Sequence, residues 1–206
     1  MGMSQTVRRM ARYLGIGQLT TFVFEFCELL AGITTGGILE IPPSVRRECP
    51  DAIRYVPTGY RVLRLIQSYV GPEDVFFELG CGKGRVIIFL ASRCKVRRIV
   101  GIEIVPGLAQ IARKNIAKSR LLCPVQIIDG DASQTDLSDG TVFYLFNPFG
   151  QETLRRVLDN IHKSLAERPR KVKILYYTPE FSQMLDNTSW LQSEQTVSPS
   201  FRVWHN

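Results

Sequence analysis

Between an apolar run and a helical pattern that resumes at Val86 lies Phe76-Phe77-Glu78-Leu79-Gly80-Cys81-Gly82-Lys83-Gly84-Arg85. Three glycines at every second position, directly after a run that closes on a carboxylate, ask for a buried strand feeding a tight turn. Such a turn passes close to a ligand, and only glycine combines positive φ with a missing side chain. The dinucleotide fingerprint G-x-G-x-x-G places its third glycine one residue later, where Arg85 stands. Lys83 and Arg85 are expected to be solvent-facing or helix-end charges with no part in chemistry.

The rhythm around this turn sets the fold class. Apolar strand patterns at 75–79, 98–103, 125–128, 141–146 and 172–177 alternate with helices. These cover 85–92, a stretch opened by Pro106 with Leu108, Ile111, Ala112 and Ile116 inward, a stretch after Gly150 and a short one after Pro179. In the third, Leu154, Val157, Leu158, Ile161 and Leu165 hold the i, i+3, i+4, i+7 spacing of a buried face. Alternation of this kind builds a parallel sheet covered by helices on both faces. The tail breaks the rhythm: 191–197 and 201–204 are separated only by Ser198-Pro199-Ser200, too little for a crossover helix, so they pair as an antiparallel hairpin. The expected fold is α/β, a doubly wound, mostly parallel seven-strand sheet with a C-terminal antiparallel hairpin and an N-terminal helical extension.

Upstream, Val62, Leu63, Ile66, Tyr69 and Val70 mark a helix with Thr58 as its cap, stopped by Gly71-Pro72. Leu19, Phe22, Val23, Phe26 and Leu30 also recur at helical spacing, with Glu25 and Glu28 on other faces. This predicts an amphipathic helix laying its apolar face on the domain. Arg8, Arg9 and Arg12 precede it, yet the glutamates interrupt the stretch, which falls short of the roughly 20 apolar residues of a membrane span. Residues 1–54 therefore read as an extension, a lid or substrate-recognition element, and 55–206 as the main domain. Five cysteines without a C-x-x-C pair, and only His162 and His205, predict reduced packing thiols, a cytoplasmic setting and no metal site. The net charge of +7 admits nucleic acid as a partner.

G-x-G-x-G after an acidic strand end, the order of motifs along the chain, and five parallel strands closed by a terminal hairpin resemble the class I, Rossmann-like S-adenosylmethionine methyltransferases over about 55–206. The resemblance implies S-adenosyl-L-methionine as cofactor and S-adenosyl-L-homocysteine as product. Gly80, Gly82 and Gly84 would let the chain hug the cofactor, with Cys81 inside the loop. Glu78 would either orient the loop or accept from the cofactor's ammonium group. Glu103, about 20 residues beyond the turn, would accept from the ribose hydroxyls, followed by Ile104. Asp131, with Asp129 as competitor, resembles the residue that accepts from the adenine amino group, and Ala132 would offer its N–H to the ring. Asn147-Pro148-Phe149 resembles the [Asp/Asn]-Pro-Pro-[aromatic] motif of amino-group methyltransferases. There the Asn side chain and Pro carbonyl accept from the target nitrogen; here Phe149 replaces the second proline and Gly150 the aromatic. Tyr55-Val56-Pro57-Thr58 is similar to the segment ahead of the cofactor motif in some seven-strand lysine methyltransferases, including the family acting on a mitochondrial ATP-synthase subunit. Tyr55 and Thr58 would then lie over the cofactor's methionine end.

The resulting expectation is SN2 methyl transfer to a nitrogen nucleophile: a protein side-chain amine first, nucleic acid second, a small metabolite third. A non-catalytic cofactor-binding scaffold is the alternative. An NAD-linked oxidoreductase is disfavoured by Arg85 and the hairpin.

Overall fold

The computed structural model describes residues 16–194 and 200–206, with side chains from residue 23 onward in the first helix. The elements in chain order are α1 (Ile16–Leu30), α2 (Pro43–Glu48), α3 (Tyr60–Gln67), β1 (Val75–Leu79), α4 (Arg85–Ala91) and β2 (Arg98–Glu103). They continue with α5 (Pro106–Ala117), β3 (Val125–Asp129), β4 (Val142–Leu145), α6 (Gln151–Glu167), β5 (Lys173–Tyr177), α7 (Ser182–Asp186), β6 (Gln192–Ser193) and β7 (Phe201–His205).

One seven-stranded sheet runs in the order β3-β2-β1-β4-β5-β7-β6. The first five of these strands are parallel, and β7 pairs antiparallel with both β5 and β6. The doubly wound sheet with its terminal hairpin is the expected architecture; the part of the hairpin at 195–199 lies outside the described residues. The order reverses beside β1, so the glycine turn and the ends of β2 and β4 converge on one crevice, the usual ligand position of open parallel sheets.

Alternation along the strands explains the two cores. Phe77, Leu79, Phe143, Leu145, Ile174 and Tyr176 face α6, whose Leu154, Val157, Leu158 and Ile161 cover them. Phe76, Ile99, Val142, Tyr144 and Leu175 face the opposite way, onto Leu63 and Ile66 of α3 and Val86, Ile87 and Leu90 of α4.

Two expectations are corrected. Thr58 does not cap α3: Gly59 holds the N-cap position, and the Thr58 hydroxyl is buried against the Tyr144 phenol at 3.0 Å. Helix α1 docks the other way round from its predicted face. Its Phe24 stacks on Tyr60 with ring centroids 4.5 Å apart, and Glu28 and the half-exposed Glu25 reach Arg85, while Val23, Phe26, Leu29 and Leu30 are exposed. Arg8, Arg9, Arg12 and the side chains of Leu19 and Phe22 lie outside the described residues. Among those residues, no helix is long and apolar enough to cross a membrane.

The extension is continuous with the domain. Leu39 bridges Tyr55, Ala52 bridges Phe149, and Ile41, Val45 and Ala52 pack against Val105 and Leu108 at the start of α5.

Candidate functional site

The glycine turn takes the shape its composition requires. Gly80, Gly82 and Gly84 have φ of 76°, 54° and 82°, a region that side chains with a Cβ avoid. The Gly80 and Cys81 amides both donate to the Ile102 carbonyl at 2.9 Å, tying the turn to β2. The turn is also walled closely: a Cβ on Gly80 would lie 2.3 Å from Pro148 Cβ, and one on Gly82 would lie 2.1 Å from the Tyr55 ring. Cys81 is buried and fills the space opposite Gly101.

Around the turn stand the predicted carboxylates. Glu78 is 5% exposed, and its Oε2 has no hydrogen-bond partner among the described residues. Burial, followed by the charge of Glu103, holds its carboxyl well above the usual carboxylate range. Glu103 accepts the Gly82 amide on Oε2 at 2.7 Å and the Val105 amide on Oε1 at 2.9 Å, so it braces the turn from the end of β2. Asp131 forms an Asx turn, accepting the Ser133 amide at 2.8 Å, with buried Ala132 beside it. Asp129, the competing residue, is exposed at the end of β3 and does not border the crevice.

The end of β4 departs from expectation. Asn147 sits at φ 43° and turns its side chain toward the end of β5. Its Nδ2 donates to the Thr178 carbonyl at 2.7 Å, and its Oδ1 accepts the Tyr176 phenol at 2.6 Å. The Pro148 carbonyl accepts the Ile53 amide at 3.0 Å. The expectation that Asn147 presents its side chain to an incoming nitrogen is therefore corrected: in this structure it ties the ends of β4 and β5 together and does not line the crevice. Ile53 belongs to a strap, residues 51–58, fastened at both ends. Asp51 accepts the Thr153 amide and hydroxyl at 3.0 and 2.9 Å, capping α6 from outside. The Tyr55 phenol donates to the Thr35 carbonyl at 2.6 Å.

Together these elements enclose a crevice of about 850 Å³, its open mouth included, bordered by Tyr55, Thr58, Glu78, Gly80, Cys81, Glu103, Ile104, Asp131, Ala132, Pro148 and Phe149. Gly82 is covered by Tyr55, and Gly84 serves as the left-handed N-cap of α4. The donor set fits S-adenosylmethionine: a buried carboxylate oxygen lacking a partner for an ammonium group, a second carboxylate at the next strand end for a diol, and a small apolar floor at Ala132. Asp51 and Asp131 border the crevice together with Arg54; burial first, then Asp131, Asp51 and Glu48, raises the Cys49 thiol against the opposing charge of Arg156.

Several residues that sequence reasoning missed hold this geometry. Arg85, expected at the surface, is 4% exposed and donates to the Thr35 hydroxyl at 2.7 Å and Glu25 at 3.0 Å. Lys83 donates to the Gly36 carbonyl at 2.5 Å. Asn115 of α5 exchanges two hydrogen bonds with the Thr34 backbone, each 3.1 Å. The available signal was a polar residue, Asn115, on the apolar side of a helix, and a pair of carboxylates in an otherwise apolar one.

Residues 76–168 match the family model described as a methyltransferase domain. A protein-lysine N-methyltransferase of Saccharolobus islandicus is 35% identical over 96 residues, 46% of this chain and 60% of that protein. A release factor glutamine methyltransferase of Vibrio cholerae is 31% identical over 107 residues, 52% of this chain and 35% of that protein. The chain thus spans less than two thirds of either relative. An RNA methyltransferase of Salinibacter ruber, solved with S-adenosyl-L-homocysteine, superposes with a TM-score of 0.53 at 24% identity, covering 73% of this chain and 92% of that one. That likeness concerns the fold.

Proposed function

We propose that this chain, whose residues 76–168 match the methyltransferase-domain family model and whose parallel sheet closes on an antiparallel hairpin, methylates a nitrogen nucleophile, a protein side-chain amine in the first instance. The observation that carries the cofactor half is the Glu78 oxygen, buried beside the crevice with no partner among the described residues. A buried carboxyl of that kind can ionise when a ligand supplies the counter-charge. Glu103 keeps one lone pair per oxygen for ribose hydroxyls after bracing Gly82 and Val105. Asp131 and Ala132 close the adenine end.

When bound, S-adenosylmethionine supplies a sulfonium methyl that a neutral amine takes by in-line displacement, the S–C electron pair staying on sulfur. This chain's residues contribute position and electrostatics. The second lone pair of the Pro148 carbonyl can receive an acceptor N–H, and Phe146 and Phe149 border the crevice as its apolar side. No histidine stands there to take a proton, so the amine sheds it to water before or after transfer.

The carboxylates of Asp51 and Asp131 at the crevice suit a cationic acceptor. The 35% identity to a protein-lysine enzyme points the same way. Incubation of the chain with methyl-labelled S-adenosylmethionine, lysine-containing peptides and total RNA tests this. Label recovered as methyl-lysine is expected; label in RNA alone would overturn the acceptor assignment.

The commitment of Asn147 to Thr178 and Tyr176 supports a second reading, a cofactor-binding protein without turnover. Saturable S-adenosylhomocysteine binding with no transfer to any of the offered acceptors would favour it.

A further inference from the structure

We infer that Arg85 is a positioning residue for the cofactor site: through Thr35 and Tyr55 it couples the docking of helix α1 to the closing of the crevice over the glycine turn. The inference rests on the methyltransferase reading for its ligand, and on the following contacts for its mechanism.

Arg85 is the first residue of α4, directly after the third glycine. Its guanidinium is buried, and both carboxylates it meets, Glu25 at 3.0 Å and Glu28 at 3.8 Å, come from α1. It also lies over the Tyr60 ring, 4.9 Å from the centroid. A buried cation holds its place only with its counter-charges present. Releasing α1 therefore forces this corner of the domain to open to water. The same guanidinium donates through Nε to the Thr35 hydroxyl at 2.7 Å, and that hydroxyl donates to Glu28 at 2.5 Å. The Thr35 carbonyl takes the Tyr55 phenol, and the Tyr55 ring covers Gly82.

A second set of contacts holds residues 32–36 from the domain side. Lys83 of the turn reaches the Gly36 carbonyl, Lys118 the Gly32 carbonyl at 2.6 Å, and Asn115 bonds both Thr34 and the Lys83 carbonyl. The segment is thus clasped between α1 and the glycine turn, and it reaches the crevice lining through Tyr55 and Arg85. With α1 docked, Tyr55 is a fixed wall at the expected methionine end of the cofactor. With α1 released, the Thr35 hydroxyl keeps Arg85 but loses Glu28, so the clasp that sets the Tyr55 wall is loosened from one side. Linkage then requires reciprocity: the factor by which undocking weakens the cofactor equals the factor by which the cofactor strengthens docking.

The test uses the full chain, the Glu25→Gln/Glu28→Gln double variant and Thr35→Val, with S-adenosylhomocysteine as probe. Calorimetry gives affinity, and hydrogen exchange of the α1 amides with and without the probe gives docking. We expect about tenfold weaker binding in both variants, and slower α1 exchange in the parent on addition of the probe, by the same factor. Once an acceptor is known, the KM for S-adenosylmethionine should rise while kcat holds. A variant whose α1 exchanges freely yet binds the probe as the parent does would overturn the coupling. So would a parent that binds the probe with no change in α1 exchange, a result that decides the matter even if neither variant folds. A parent that binds no probe at all would remove the methyltransferase reading itself, and the coupling with it.

Discussion

Gly82 joins two demands at one residue: a φ of 54° and a ring of Tyr55 where its side chain would be. Tyr55 cannot simply turn aside, because its phenol is held by the Thr35 carbonyl. Gly82→Ala should therefore weaken S-adenosylhomocysteine binding at least tenfold, with about 1–2 kcal/mol lost from strain alone; calorimetry and thermal unfolding read the two effects separately. Glu78 makes the opposite exchange. Its carboxyl is raised by burial and by Glu103, so the folded chain keeps a proton that the unfolded chain gives up. Stability contributed by that proton falls as pH rises from the ordinary carboxylate value through the raised one. Glu78→Gln should flatten this fall and raise the unfolding midpoint in mild alkali, while weakening the cofactor. An ammonium set against Glu78 would also expel its proton. Binding to the parent at about pH 6 should then show an enthalpy that varies with the buffer, and the variant should not. A parent enthalpy independent of buffer would take the ammonium role away from Glu78.

Helix α6 begins at Gly150 and Gln151 without a side-chain cap of its own. Asp51, about a hundred residues earlier, supplies the cap by accepting the Thr153 amide and hydroxyl, and its charge faces the positive end of the helix. Asp51→Ala should cost about 1 kcal/mol and lower the unfolding midpoint by about 2–4 °C; no change would show the cap to be idle. Elements of this kind mark the boundary of what could be read from the chain. The glycine turn and the hairpin were legible because local rules enforce them: positive φ selects glycine, and a three-residue gap excludes a crossover. The inward face of α1 was not legible, because it was decided by a partner 60 residues away. Arg85, buried by its place after the turn, drew the two glutamates to itself and left the apolar stripe outside. Asn147 was misread for a related reason. The motif suggests what its side chain can accept, whereas the phenol of Tyr176 and the Thr178 carbonyl, supplied by β5 and the residue beyond it, decide where it points.

For the molecule as a whole, the carboxylates of Asp51 and Asp131 at the crevice should make the charge around the target amine matter. Peptides with lysine or arginine flanking the target amine should react with a lower KM than the same peptides flanked by glutamate. The advantage should shrink as ionic strength rises. Steady-state kinetics across a salt series would show it, and equal KM values for both peptides would refute it.

The sheet order has a consequence for biogenesis. β7 lies between β5 and β6, and the Asn206 side chain fastens the Val172 amide and the Arg170 carbonyl. A nascent chain halted short of Phe201 thus lacks more than its last strand. It leaves β6 with nothing to pair with and exposes the whole ladder of Lys173–Tyr177, an open template of the kind that recruits chaperones or other unfinished copies.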